Sequence, residues 1–308
     1  MSSTAIDYQE MEKRIREAEK GKSFYQLAWR RFKKNKLAVF GLVILGALIV
    51  ISVFAPLLSP YNPFISLKNE AGLYNTLQSP SKEHFLGTDS LGRDVLSRMI
   101  YAGRISLSVG LVSVSIATAL GTLLGSLAGY FGKWVDTVIM RIVDVVICFP
   151  VLFLVITVST LLKPNIFNVM IIIGLVNWTK TARLVRGEIL KVREYEFIEA
   201  SRALGAKHGR LIFRHMLPNI LAPLLVQATL QTAQAILTEA SLSFLGVGVQ
   251  QPTPSWGNML NEAMSLSVLA SKLWVWLPPG FAILITVLAI NFLGDGLRDA
   301  FDPKQVST

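Results

Sequence analysis

The chain has little charge for its length. Lys, Arg, Asp and Glu make up 16% of its 308 residues, against about 25% in ordinary globular proteins. With 52% hydrophobic residues and a mean hydropathy of +0.50, this excludes an ordinary soluble domain and indicates a polytopic membrane protein. There is one cysteine, Cys148. It cannot form a disulfide within the chain, and its place in an apolar run predicts a buried, inert thiol. The three histidines, His84, His208 and His215, have no ligand spacing, so no metal site is expected. A phosphate loop is also missing. The nearest look-alike, GYFGKW at 129–134, has Trp134 where Ser or Thr must reach the metal and Leu127 where the first glycine belongs. There is no HExxH, no GxSxG, and no Ser/His/Asp set that the topology would bring together. The chain is therefore expected to be no enzyme in its own right and to bind no cofactor. Any energised work has to be powered by a partner. No secretory signal is expected either, because the first 36 residues are strongly charged and the first apolar run exceeds a signal core.

What is present is a series of apolar runs. A spanning helix needs about 20 apolar residues. Six spans are expected: 37–58, 105–131, 142–162, 166–178 with a helical continuation to 190, 220–245, and 273–293. Pro278 and Pro279 are expected to bend or delay the last one. The expected fold class is thus all-α and integral to the membrane. The +10 net charge sets the orientation. Residues 1–36 carry ten Lys and Arg and residues 178–220 carry nine, separated by four spans. Both segments then lie on one side, which the positive-inside rule makes the cytoplasm. Both termini follow, including the tail 299–308. Of the 30 basic residues, this topology puts 23 inside and seven outside. Residues 7–36, with Phe24, Leu27, Ala28 and Phe32 at helical spacing, read as an interfacial amphipathic helix. Residues 59–104 read as an extracytoplasmic loop folded into a small cap.

One charged stretch interrupts the apolar chain: EYEFIEASRALGAKHGRLIFRHMLPN, residues 194–219. Helix formers up to Leu204, a stop at Gly205, and a second short helical segment over 207–216 predict two small helices joined at the glycine. Pro218 is placed to open the fifth span. The stretch is either a basic loop on lipid headgroups or a docking element for a cytoplasmic protein. Its spacing favours docking: Glu199-Ala200-Ser201, three residues, Gly205, nine residues, His215, one residue, Leu217-Pro218. This resembles the EAA motif of ABC-importer permeases, with Ser201 for the second Ala and His215 for Ile. FLGTDSLGRDVLSR (85–98), TEASLSFLG (238–246) and FLGDGLRDAFDPK (292–304) resemble segments of the dipeptide/oligopeptide/nickel branch, and specifically its C-type permease.

That resemblance implies a type I importer core over 105–298 with a coupling loop at 181–219. The implied place is the bacterial cytoplasmic membrane. The implied partners are a homologous permease, two ABC ATPases that use ATP and Mg, and an extracytoplasmic solute-binding protein. No nucleic acid is implied. The cargo implied first is di- or oligopeptides, with nickel, glutathione or another small solute as the alternative. Glu199 becomes a candidate charge partner for an ATPase base; otherwise it is an i, i+3 partner of Arg202, worth about 0.2–0.5 kcal/mol.

Two further patterns concern the membrane interior. Gln227, Gln231, Gln234, Thr238 and Ser241 fall on one narrow helical face. They are either hydrogen-bond glue between helices or the lining of a polar path. Glu239 lies about 100° from that face and is a candidate for the path, an outer gate or a structural bond. Ala117, Gly121, Gly125 and Gly129 recur every four residues, a small-residue stripe expected to pack helices closely in the core, with packing against the partner permease as the alternative. Arg141 and Asp144 are expected to pair locally. A proton-coupled secondary transporter would require buried ionisable pairs and often a repeat; Glu239 alone suggests one. A membrane enzyme would require a catalytic set, and none is evident.

Overall fold

In the computed structural model, residues 24–68, 72–162 and 165–301 are described. The parts of the amphipathic segment before residue 24 and of the tail after 301 lie outside them. The regular elements among the described residues are all helices, with long loops between some of them and two isolated bridges, Lys68 with Tyr74 and Thr88 with Asp94. We number the main helices α1 (Phe24–Lys34), α2 (Lys36–Val53), α3 (Val95–Phe131), α4 (Lys133–Ile147), α5 (Val151–Leu161), α6 (Ile166–Arg193), α7 (Glu196–Ala203), α8 (Leu221–Phe244), α9 (Trp256–Leu260), α10 (Leu266–Ser271) and α11 (Leu273–Phe301). Among the described residues, three helices are long and apolar enough to cross a membrane: α2, α3 and α11. The number rises to five if each of two bent pairs counts as one span. α6 is not among them, because Asn168, Asn177, Lys180 and Arg183 lower its apolar content.

Local chemistry explains where the helices depart from the expected runs. α3 starts at Val95, ten residues ahead of the apolar run beginning at 105. Asp94 caps it, accepting from the Ser97 amide at 2.8 Å, and the polar first turns are held by protein. The expected third span is bent by 85° between α4 and α5. Phe149 precedes a proline, which disfavours α geometry, and Pro150 is extended at the start of α5. Before α8, the segment His208–Asn219 meets the helix at 67°. Pro218 therefore sits in a short turn, Leu217–Asn219, and Leu221 opens the helix. Pro278 and Pro279 neither delay nor interrupt α11, which runs from Leu273 to Phe301 and so eight residues beyond 293.

The small-residue stripe lies on α3 against α6. A Cβ on Gly121 would sit 2.5 Å from the Cβ of Thr181, and one on Gly125 would sit 2.5 Å from the Ala182 carbonyl oxygen. On Gly129 it would be 2.9 Å from the Arg186 carbonyl oxygen. Ala117 is fully buried. Gly174 answers from α6, where a Cβ would meet Ile116 at 2.8 Å. The α3–α6 pair forms the centre of the molecule. The α8 helix closes one side through Val109, Ala235 and Leu242. α1 lies against the far end of α11, burying Ala28 and Phe32 on Ala38, Leu297 and Ala300. Trp29, Arg30, Lys33 and Lys34 stay exposed on its other face.

Two expectations are corrected by packing. Cys148 is exposed, because it sits at the α4–α5 bend rather than inside a straight span. Asp144 pairs with Arg183 of α6 at 2.5 Å, not with Arg141. α4 and α6 run close enough for the cross-helix pair to form.

Candidate functional site

The charged stretch folds as two arms about a glycine. α7 ends in a paired closure: Gly205 N–H donates to the Arg202 carbonyl at 3.0 Å and Ala206 N–H to the Ser201 carbonyl at 3.1 Å. This is a Schellman arrangement and needs a left-handed residue. Gly205 supplies it at φ +80°. The second arm starts as helix at His208–Arg210 and widens to a π-helix over Leu211–Met216. Both arms rest on one apolar base. Ile198, Leu211, Ile212 and Met216 pack with Val185, Ile189 and Val192 of α6 and Leu224 of α8. Each arm is thus rigidly joined to a helix of the membrane core.

The opposite surface is different. Glu199 and Ala200 are exposed, and Ser201 is half-buried with its hydroxyl donating to the Phe197 carbonyl at 2.7 Å. No Glu199–Arg202 ion pair forms among the described residues. Both side chains therefore remain available. Leu204 at the tip is 88% exposed and Phe213 64%, with Tyr195 and Phe197 nearby in sequence and also exposed. Lys207, Arg210 and Arg214 are exposed as well. Leu204 was not singled out by the spacing, since its helical position does not reveal that the turn thrusts it outward. His215 and Leu217 are half-buried, and Pro218 is exposed. The Asn219 amide donates to the His215 carbonyl at 2.6 Å. The second arm is also tied to α3: Tyr130 Oη and His208 Nδ1 lie 2.6 Å apart. Arg193 Nη1 donates to the Gly129 carbonyl at 3.3 Å.

In the interior, the glutamine face divides. Gln231 is buried, and its Oε1 accepts from the Thr181 hydroxyl at 3.3 Å. Gln227 is half-buried and Gln234 exposed. Gln234, Thr238 and Ser241 line a cavity of about 120 Å³ together with Val151, Leu152, Asn177, Lys180 and Leu237. Glu239 does not line it. That side chain is 0% exposed and accepts from the hydroxyls of Ser243 at 2.7 Å and Ser106 at 3.1 Å. It thereby bonds α8 to α3, and Ser106 in turn accepts from the Trp256 amide at 3.3 Å.

A third cluster lies in the loop region, and spacing alone did not reveal it. Within FLGTDSLGRDVLSR, Asp89 accepts from Arg93 Nε at 2.7 Å and faces Arg98 Nε at 3.3 Å. Both guanidiniums reach across to Gln251 Oε1, at 2.6 Å from Arg93 and 3.2 Å from Arg98. Glu262 accepts from the Ser90 amide at 3.0 Å. His84 Nδ1 meets Asp94 at 3.0 Å. This network fastens the 59–94 loop to the segment between α8 and α11. Burial, with the negative charge of Asp89, pushes the Glu262 carboxyl above its ordinary value, against the opposing Ser90 bonds and Arg93 charge. Arg93 and Gln251, 158 residues apart in sequence, meet here, so only the fold could show it.

The family model for the binding-protein-dependent transport system inner membrane component matches residues 121–307. The model for the N-terminal TM domain of oligopeptide transport permease C matches residues 23–80. A dipeptide transport system permease protein DppC from Alkalihalophilus pseudofirmus is 48% identical, covering 91% of this chain and 90% of that protein. The DppC protein of Bacillus subtilis is 42% identical, covering 92% and 86%. The glutathione transport system permease protein GsiD of Escherichia coli O6:K15:H31 is 44% identical, covering 90% and 89%. Among solved structures, a chain of the MetNI methionine ABC transporter in inward-facing conformations matches with a TM-score of 0.53 at 18% identity. It covers 67% of this chain and 97% of that one, and so bears on the fold alone.

Proposed function

The chain belongs to the binding-protein-dependent transport system inner membrane components, and we propose from this that it forms one half of the transmembrane pore of an ABC importer for di- and oligopeptides. The relatives named for dipeptide transport support this cargo. A second cargo reading, glutathione, is favoured by the 44% identical GsiD protein; it is itself a small peptide.

In this reading a homologous permease supplies the other half. Two ATPases bind ATP and Mg below, and a solute-binding protein delivers cargo from outside. The chain sits in the bacterial inner membrane with both termini cytoplasmic. Six crossings result when α6 is counted with α2, α3, α8, α11 and the bent α4–α5 pair. The segment 199–217 is the coupling element. Glu199, Ala200, Ser201, Gly205, His215, Leu217 and Pro218 carry the family spacing. The observation that carries the reading is that this spacing lies on two arms with an apolar base in the core and exposed tips at Leu204 and Phe213. A push on the tips moves α6 and α8 together, because both contribute to the base. The path follows the face of Gln227, Gln231, Gln234 and Thr238, with Glu239 holding α8 to α3 beside it.

The test is assembly. The tagged chain, co-expressed with its permease and ATPase partners, should retain the ATPases on purification. Glu199→Lys together with Leu204→Asp should release them while leaving the permease pair intact. Full ATPase retention by the double variant would remove the coupling assignment.

A further inference from the structure

Five cations lie on α6 between 180 and 193: Lys180, Arg183, Arg186, Lys191 and Arg193. Four have ion-pair partners. Arg183 pairs with Asp144, Arg186 with Asp136, Lys191 with Glu188 and Arg193 with Glu194. Lys180 makes no ion pair among the described residues. It is also the deepest of the five. Fourteen residues past Ile166, its exposed side chain sits about 21 Å along a helix read here as crossing a hydrocarbon core of about 30 Å, which moves it from the cytoplasmic group of 178–220 into the membrane. An ammonium at such depth is costly unless it serves a wet path or finds a counter-charge.

Its surroundings supply the path and no counter-charge. Lys180 lines the cavity of about 120 Å³ with Asn177, Gln234, Thr238 and Ser241, and no Asp or Glu lines it. The hydroxyls there are already used. Thr238 donates to the Gln234 carbonyl and Ser241 to the Leu237 carbonyl, both at 2.8 Å. The Asn177 amide donates to the Ile173 carbonyl at 2.9 Å. The donors left facing the cavity are the Lys180 ammonium, the exposed Gln234 amide and the second N–H of the Asn177 amide. A cation beside neutral donors, with no acid near, is arranged to receive an anionic oxygen.

We propose that Lys180 and Gln234 form a carboxylate-recognising point in the translocation path, which takes the C-terminal carboxylate of a small peptide in transit. The proposal rests on the importer reading and deepens it, since it assigns one specific group of the cargo to one place. The ammonium is a compact point charge with rotatable donors. It holds a carboxylate without fixing the rest of the peptide, as a path serving varied side chains requires.

The experiment uses the importer assembled with its permease and ATPase partners in nanodiscs. A reporter thiol is placed at the cavity wall by Leu237→Cys in a Cys148→Ser background. Its rates with an anionic and a cationic methanethiosulfonate reagent are compared. With Lys180 present, the anionic-to-cationic ratio should exceed that of Lys180→Gln by about threefold or more. A millimolar dipeptide should slow labelling, and its C-terminal amide should not. Lys180→Arg should keep both effects and Lys180→Gln should lose both. An unchanged ratio in Lys180→Gln, equal protection by peptide and amide, protection that survives the loss of the charge, or a thiol inert to both reagents would each overturn the proposal. ATPase copies counted in the same nanodiscs report on the importer reading separately: their absence would sink that reading whatever the thiol rates show.

Discussion

Gly205 separates two meanings of a glycine in the proposed coupling segment. Its φ of +80° closes α7. Among the described residues nothing lies within 4 Å of where its Cβ would be. A side chain there thus costs only backbone strain, of about 1–2 kcal/mol for an ordinary L-residue and less for Asn, which tolerates the left-handed region. Asn and Leu therefore differ by about 1 kcal/mol or less in the isolated chain, roughly fivefold in the population of the closed turn. Any larger difference between them has to come from a surface pressed against the turn. We expect Gly205→Asn to retain most ATPase binding and Gly205→Leu to lose it by well over tenfold, with both proteins inserted and equally resistant to heat. The assay is ATPase affinity for the purified permease pair, by titration in nanodiscs. If Leu and Asn bind alike, the turn matters only for its shape and close approach of a partner backbone is wrong. If Gly205→Leu fails to insert, the strain estimate is wrong instead.

Two other substitutions test packing and charge. Gly125→Val drives atoms into the Ala182 carbonyl and Val185 and should cost about 1–3 kcal/mol, whereas Gly187→Ala, on open helix surface, should gain up to about 1 kcal/mol. Thermal unfolding in one detergent compares them, and equal midpoints would contradict the α3–α6 packing. The raised Glu262 carboxyl gives a signed pH effect. A folded-state value above the unfolded one means that its contribution is complete below the ordinary carboxylate range and is lost as pH rises through the folded value. Protease resistance of the 59–94 loop should therefore decline as pH rises through that window. Glu262→Gln keeps an acceptor for Ser90 and should flatten this decline; an unchanged slope would assign the effect elsewhere.

Much of this was legible in the chain because helices in a membrane advertise themselves by apolar content. α2 and α8 fall close to the runs read from composition, since little beyond burial decides where they lie. The two arms about Gly205 were legible because a helix former run, a glycine and a proline are local signals. What failed were features set by tertiary partners. The start of α3 was hidden by Arg98, a charge that composition places in solvent but that Asp89, Gln251 and the Pro63 carbonyl satisfy inside the protein. The exposure of Cys148 depends on an 85° bend that an apolar run gives no hint of beyond Pro150. By sequence Lys180 is only the first of the nine cations between 178 and 220. Its difference from Arg183 and Arg186 appears only once Asp144 and Asp136 are seen to pair with those two.

In the function proposed above, this chain moves cargo with energy received from another subunit. The most direct test is ATP-driven dipeptide uptake in proteoliposomes. The chain with its permease, ATPase and binding-protein partners should accumulate the dipeptide only with ATP and Mg. The purified chain alone should neither hydrolyse ATP nor accumulate dipeptide under a proton gradient. Accumulation by the single chain, without any ATPase present, would contradict the account and make it a secondary transporter.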